Sequence, residues 1–396
     1  MNKILAFSLC TATAVMAGGY KIPESSLKAV ALSSANVANA YGSDAAYFNP
    51  ANMVFNNDEQ SIEADMTYIG LSGSTFTGTA NGDSSGATSE GENFLVPSLH
   101  YVSDGKDDVR VGVSLVSPAG LTKRWDEQPA KATAEEFSLQ TIELNPSVAV
   151  PVGDKAAVAA GIRFVHSSGV VKSSSVISRD MTGASNDIGY NLALSYRPTP
   201  ALSMAATYRS NIDLSIEGDA KLYSGGTLVY DGGASVTVPI PATLSLAAAY
   251  TFGPAITVEF VYERTMWSAY DELDFEYTGN IGPLQPYFDD PIAKNWKDTN
   301  TYRLGITKAH AGFTGMFGIA YDETPIPDES YSFELPDANA LVLSMGVLYP
   351  IDKSWSVGLA GLVSMKEKRT VTNDDLEGTF DATNIYLLST GLEYRF

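Results

Sequence analysis

The chain has 396 residues, a formal net charge of −21, 44% hydrophobic residues and one cysteine. So acidic a chain repels nucleic acid, and no basic tract reverses the balance. Beyond the N-terminus there is no apolar run of about 20 residues, so a spanning helix is excluded and a place in a membrane would require a closed barrel.

In chain order, Met1-Asn2-Lys3 precedes an apolar stretch over 4–15 and then Ala17-Gly18-Gly19, the order of a secretory signal peptide over 1–17. The mature chain is expected to start near Gly18. The only cysteine, Cys10, falls inside the signal, so the exported chain has no disulfide to hold it. Residues 18–57 show no strand alternation. They are rich in Gly, Ala, Ser and Asn, too short for a sizeable core, and suited to fill a lumen as a plug. The plug closes on Gly42 to Met53, where Pro50 pushes Asn49 out of the helical region. By itself Asn49-Pro50-Ala51 also reads as a plain turn into the first strand.

From 58 onward, segments alternate apolar and polar residues and stop at Gly, Pro, Asn and Asp clusters. Tyr386, Leu388, Leu392, Tyr394 and Phe396 oppose Ser389, Gly391, Glu393 and Arg395. Met204, Tyr208 and Ile212 oppose Thr207, Arg209 and Asp213. A soluble sandwich would alternate too, so the links decide. Short ones, as at 152–155, 252–254, 310–312 and 350–353, alternate with long acidic ones at 83–91, 123–136, 221–234, 279–297, 322–337 and 367–378. That rhythm predicts short periplasmic turns and long outer loops. Strands are predicted at 58–76, 92–103, 108–117, 137–151, 155–178, 185–198, 202–217, 235–252, 255–277, 298–308, 312–322, 338–349, 354–370 and 380–396. The expected fold is all-β: an antiparallel transmembrane β-barrel of about fourteen strands, with an N-terminal plug in the lumen and regions at 1–17, 18–57 and 58–396. Tyr250, Trp267, Tyr270, Tyr349, Trp355 and Tyr394 lie near strand ends, as aromatic girdles require.

Signal, plug and strand series together resemble the FadL family of outer-membrane transporters (OmpP1/FadL/TodX type) for long-chain fatty acids and other hydrophobic compounds. The stretches Ser117-Pro118-Ala119-Gly120, Leu144-Asn145-Pro146-Ser147, Pro241-Ala242-Thr243-Leu244, Trp296-Lys297-Asp298 and Pro325-Ile326-Pro327 match in order. The resemblance implies a plug, or hatch, that gates passive diffusion, with ligand leaving sideways through the barrel wall. It makes Asn49, Pro50 and Ala51 hatch contacts, places a third-strand kink at Pro118, Ala119 and Gly120, and lines an inner pocket with Gly18, Gly19, Tyr20 and Ile22. Proline and glycine at a kink weaken ladder pairing, which gives the gap a physical basis. The resemblance also implies a bacterial outer-membrane location, contact with its lipid and lipopolysaccharide, and barrel assembly machinery acting through the strand ending at Phe396. The chain departs from the family in its link between the fifth and sixth strands, read as 178–186, which is too short for a helical insertion.

A fatty carboxylate would pair bidentately with an arginine. Arg163 and Arg303 are candidate anchors, with Lys294 and Lys297 as rivals. The competing reading makes the inward charges Glu63, Asp65, Arg110, Arg163, Arg209, Asp213, Glu259, Glu263, Arg303 and Glu393 an ion ladder in a polar lumen. The three histidines have no metal spacing, Gly70-Leu71-Ser72-Gly73 is no nucleophile elbow, and no phosphate-binding loop is present. No catalytic residue, metal or cofactor is expected. Alternatives to fatty acid uptake are aromatic or alkane hydrocarbon uptake by the same fold, and a general porin or adhesin with a sealed pore. The acidic loops are solvated faces or, through divalent cations, contacts to lipopolysaccharide phosphates.

Overall fold

The computed structural model describes residues 18–56, 60–80, 82–105 and 109–396. The predicted signal peptide with Cys10, the boundary between 57 and 58, and Lys106-Asp107 of the first short link lie outside the described residues. The wall begins with β1 (Ser61–Leu71), β2 (Glu92–Val102) and β3 (Arg110–Val116, then Gly120–Arg124). It continues with β4 (Glu136–Val152), β5 (Ala156–Ser173), β6 (Ile177–Thr199) and β7 (Leu202–Arg209, then Ile212–Ser224). Next come β8 (Thr227–Ile240, then Thr243–Phe252), β9 (Ile256–Thr265, then Phe275–Tyr277) and β10 (Thr299–His310). β11 (Phe313–Asp322), β12 (Ala340–Pro350), β13 (Trp355–Lys366) and β14 (Asn384–Arg395) complete it. Eighteen paired segments, four of them continuations of an interrupted strand, make fourteen antiparallel strands. β14 closes on β1 from Ser61↔Arg395 to Leu71↔Ile385. Closure leaves no edge, so every ladder group can be satisfied inside hydrocarbon.

The alternation read from the sequence sets the two faces. Ile188, Tyr190, Leu192, Leu194 and Tyr196 of β6 point outward, whereas Asn191 and Ser195 are buried in the lumen. Tyr349, Trp355, Tyr394 and Phe396 gather at the short-turn end, with Trp355 and Tyr394 ring centroids 4.5 Å apart. Trp267 and Tyr270 are not in a girdle. β9 leaves the wall after Thr265 and carries both rings into the lumen, where they are buried.

Four further expectations need correction. The 178–186 link is part of β6, with Gly169↔Gly183 and Val171↔Met181 in register, and the real link is 174–176. The 221–234 link is a hairpin in which Gly225 and Gly226, at φ of 56° and 77°, form the two-residue turn between Ser224 and Thr227. These strand ends rise above the apolar band: along β7, Ser215, Glu217, Asp219 and Lys221 face out while Leu214, Ile216, Ala220 and Leu222 are buried. Asp213 faces outward: the pleat inverts at 210–211 of β7 and 241–242 of β8, so Arg209 and Ile212 both turn inward, as do Thr243 and Ile240. At the long-loop end, Thr75–Ala80, Asp83–Thr88, Arg369–Thr372 and Leu376–Phe380 form a separate four-stranded sheet rather than extending β1, β13 and β14.

Residues 18–56 fold inside the ring. α1 (Leu27–Ala31) is capped by Ser26, whose Oγ accepts from the Ala29 N–H at 3.1 Å, and it packs on β11 to β14 and β1. Lys28 is 1% exposed and pairs with Asp44 at 3.0 Å and Glu63 at 2.9 Å. Gly318 permits the approach of this segment, because a Cβ there would come 2.2 Å from the Leu32 backbone. Across the lumen, the Glu259 carboxylate accepts from the N–H groups of Val37, Ala38 and Asn39 at 2.7, 2.6 and 3.2 Å. α2 (Ala45–Phe48) and a 3-10 helix (Pro50–Phe55) then close the plug.

Two outcomes follow. Leu192→Arg, at the middle of the lipid-facing row of β6, is expected to lower stability by about 2–4 kcal/mol, measured as folding into vesicles by gel mobility with and without heating. Lys28→Met strands two buried carboxylates and should cost ~3–5 kcal/mol, read from urea unfolding.

Candidate ligand-binding site

Above the plug lies an apolar chamber walled by Leu121, Leu139, Val171, Met181, Ile216, Val238 and Phe275. Its floor is aromatic. Tyr20 lies with ring centroids 4.7 Å from Trp267, 5.7 Å from Trp296 and 6.2 Å from Tyr270. Below is a second, more polar cavity that includes Ile22, Tyr47, Pro118, Arg163, Arg209 and Glu263. Tyr20 lines the upper space and Ile22 the lower, so the segment between them is the partition.

That partition is bonded to a break in the wall. The Gly120 N–H donates to Tyr20 O at 2.8 Å and the Ile22 N–H to Pro118 O at 3.0 Å, an antiparallel bridge between Lys21 and Ala119. β3 pairs with β4 as Val116↔Glu143 and then Gly120↔Gln140, so it carries three residues where β4 carries two. One extra residue bends the strand away from its other neighbour. β2 and β3 pair only from Leu99↔Leu115 to Val102↔Gly112, which leaves β2 above Leu99 without a β3 partner. The gap is spanned above by Arg124, which binds the Glu92 carboxylate at 2.8 and 2.6 Å.

A second interruption faces the same floor. β8 pairs with β9 at Thr243↔Thr265 and again at Val236↔Phe275, and among the described residues 237–241 have no β9 partner. Pro239 and Pro241 stand in this stretch, and the Tyr20 hydroxyl donates to Pro239 O at 2.5 Å. Tyr20 thus holds one interruption by its backbone and the other by its side chain.

Residues 8–396 match the family described as outer membrane protein transport protein (OMPP1/FadL/TodX). The chain belongs to that family. A long-chain fatty acid transport protein of Escherichia coli O6:H1 is 24% identical over 422 residues, covering 92% of this chain and 93% of its own. A Pseudomonas aeruginosa FadL homologue of known crystal structure matches at 18% identity with a TM-score of 0.85, over 95% of this chain and 99% of that one. The Ralstonia pickettii toluene transporter TbuX matches at 17% identity and a TM-score of 0.73, over 94% and 98%. The fold of this family member is therefore that of the FadL barrels, and its place is the outer membrane.

Within the FadL-type barrel, the sequence-derived candidates fall in distinct places. Asn49 donates from Nδ2 to Val37 O at 2.7 Å and to Ser195 Oγ at 2.9 Å, and the 3-10 helix opened by Pro50 and Ala51 packs on β3 to β6 below the break. The Pro118 to Gly120 break itself is held by Tyr20 to Ile22. Gly18 and Gly19 line neither cavity; they sit at φ of 80° and 83°, where a Cβ on Gly19 would lie 2.5 Å from Trp267. Arg163 reaches the lower cavity but is bound to Glu143 at 3.0 Å and to Ser210 O at 2.7 Å. Arg303 binds Glu263 at 3.1 Å and Ser33 O at 3.2 Å. Lys297 is exposed and lines neither cavity, whereas Lys294 is buried beside the chamber and pairs with Glu334 at 2.5 Å. The second interruption escaped the sequence reading, although alternate prolines inside an apparent strand were the available signal. Among the described residues no group of three His, Cys, Asp or Glu side chains could hold a metal ion.

Gly19→Val is expected to displace the segment from its seat against Trp267. A red-shifted tryptophan emission and glucose leakage from proteoliposomes would record it.

Proposed function

We propose that the protein takes up hydrophobic molecules, long-chain fatty acids foremost, by passive diffusion gated by the plug, with exit sideways into the membrane. The observation that carries this reading is the partition: one short segment separates an apolar chamber from a lower cavity and also bonds Pro118 and Gly120 at the break in β3. Displacing Tyr20 to Ile22 would join the two cavities and free the wall beside Pro118 in one motion. An apolar tail could then reach lipid without crossing water. The E. coli relative, which transports long-chain fatty acids by its name, supports the ligand class. The aromatic floor and the toluene transporter among the structural neighbours favour aromatic hydrocarbons as a second class. No catalytic step is invoked.

The finer placement belongs to the same proposal. Cleavage before Gly18 would free an N-terminal segment for the seat against Trp267, and the plug would run to about the start of β1 at Ser61. The exposed Phe396, ring-stacked on Tyr394 at 4.8 Å, would present the last strand to the assembly machinery, and the acidic outer loops would face lipopolysaccharide.

Deleting Pro118 leaves two residues of β3 opposite two of β4, so the strand can run straight. Uptake of oleate and toluene into proteoliposomes should then fall at least tenfold while the barrel still shifts in mobility on heating; unchanged uptake would sink the lateral route. Free swelling of intact proteoliposomes in glucose would instead favour an open porin. Asn49→Ala should weaken the plug's hold on β6 by about 1–3 kcal/mol and raise leak of small solutes, measured by the same swelling assay.

A further inference from the structure

The outer loops line a third cavity, which shares Lys294 and Glu334 with the apolar chamber beneath it. On its wall, near the start of β6, Arg179 is only 8% exposed. Its guanidinium lies 4.8 Å above the ring of Phe275 and 5.5 Å from that of Phe288, two faces that fix its plane. Phe275 also walls the chamber. The Arg179 Nε is buried with no hydrogen-bond partner, and among the described residues no carboxylate lies within ion-pairing distance of this side chain. The nearby carboxylate, Glu334, is engaged by Lys294 at 2.5 Å. Burial pushes the Glu334 carboxyl up, but the Lys294 ammonium outweighs it and holds the group below its ordinary value, so it stays ionised. The cavity's other acids, Asp290, Glu329 and Asp375, are exposed at its rim and solvated.

A desolvated guanidinium set between two rings and beside the Tyr277 hydroxyl, with no carboxylate of its own, is stabilised by an anion. We propose that Arg179 docks the carboxylate of an apolar acid in the outer cavity, with the acid's tail passing Phe275 into the chamber. This rests on the transport reading and adds to it the head-group chemistry: the outer cavity selects acids over neutral hydrocarbons of the same length.

The test uses the full chain in phosphatidylcholine nanodiscs with radiolabelled oleate and oleyl alcohol as probes. Wild type should bind oleate at least tenfold more tightly than oleyl alcohol. Arg179→Gln should abolish that preference by weakening oleate alone, leaving oleyl alcohol within twofold, and Arg179→Lys should restore part of it. Wild type without a preference, or an Arg179→Gln variant that loses both probes equally, overturns the anchor. The wild-type comparison stands even if the variants do not fold. If wild type binds neither probe, the transport reading falls with the anchor, whereas binding of both without preference removes the anchor alone.

Discussion

Inside hydrocarbon an unpaired backbone group costs several kcal/mol, and this constraint organises the molecule. The ring is closed, and where β3 bulges off its neighbour the missing partners come from the plug, through Tyr20 O and the Ile22 N–H. At the β8 interruption, proline removes N–H groups that would otherwise go unpaired, and the Tyr20 hydroxyl meets the carbonyl of Pro239. At both weak places the removable segment thus supplies partners to the wall, to Pro118 and Gly120 of β3 and to Pro239 of β8.

What seats the segment is polar. Lys28 with Asp44 and Glu63, Arg303 with Glu263, and Glu259 on three backbone N–H groups tie the plug to opposite sides of the lumen. Buried ion pairs of this kind are strongly destabilising to break singly and yet contribute little against an apolar alternative. They fix where the plug sits. The N-terminal stretch from Gly18 to Ile22 is tied as well, by the short bridge to β3, by the Lys21 ammonium on Glu263 at 2.7 Å and by the aromatic contacts of Tyr20, so moving it breaks one part-buried ion pair while α1 and the 3-10 helix keep their own contacts.

The ionisable interior also divides into used and unused charge. Arg163 and Arg209 both pair with Glu143, and Arg303 and Lys21 both pair with Glu263, so the ion-ladder reading describes them well. Arg179 lies higher, above an otherwise apolar chamber, and among the described residues no carboxylate is within ion-pairing distance of it, the nearby Glu334 being engaged by Lys294. Charge at the mouth and apolar surface below is the order in which an amphipathic molecule would be desolvated.

The sequence by itself determined the barrel, its strand number, the lipid-facing rows such as Leu192 to Tyr196, and the plug, because in a membrane the two faces of a strand meet opposite solvents and the residue alternation records it. The tertiary structure alone decided the rest. Along β7 above the lipid the alternation continues, with Leu214, Ile216 and Leu222 buried, but the outward Glu217, Asp219 and Lys221 are charged, so the stretch around Gly225-Gly226 read as an acidic loop. Trp267 and Tyr270 looked like interface residues because strand-end position says nothing of a nine-residue detour into the lumen between Thr265 and Phe275. Arg163 and Arg303 looked free because pairing depends on which strands become neighbours and on where the plug packs. Arg179 escaped notice because its isolation is a property of burial, which only the folded loops create.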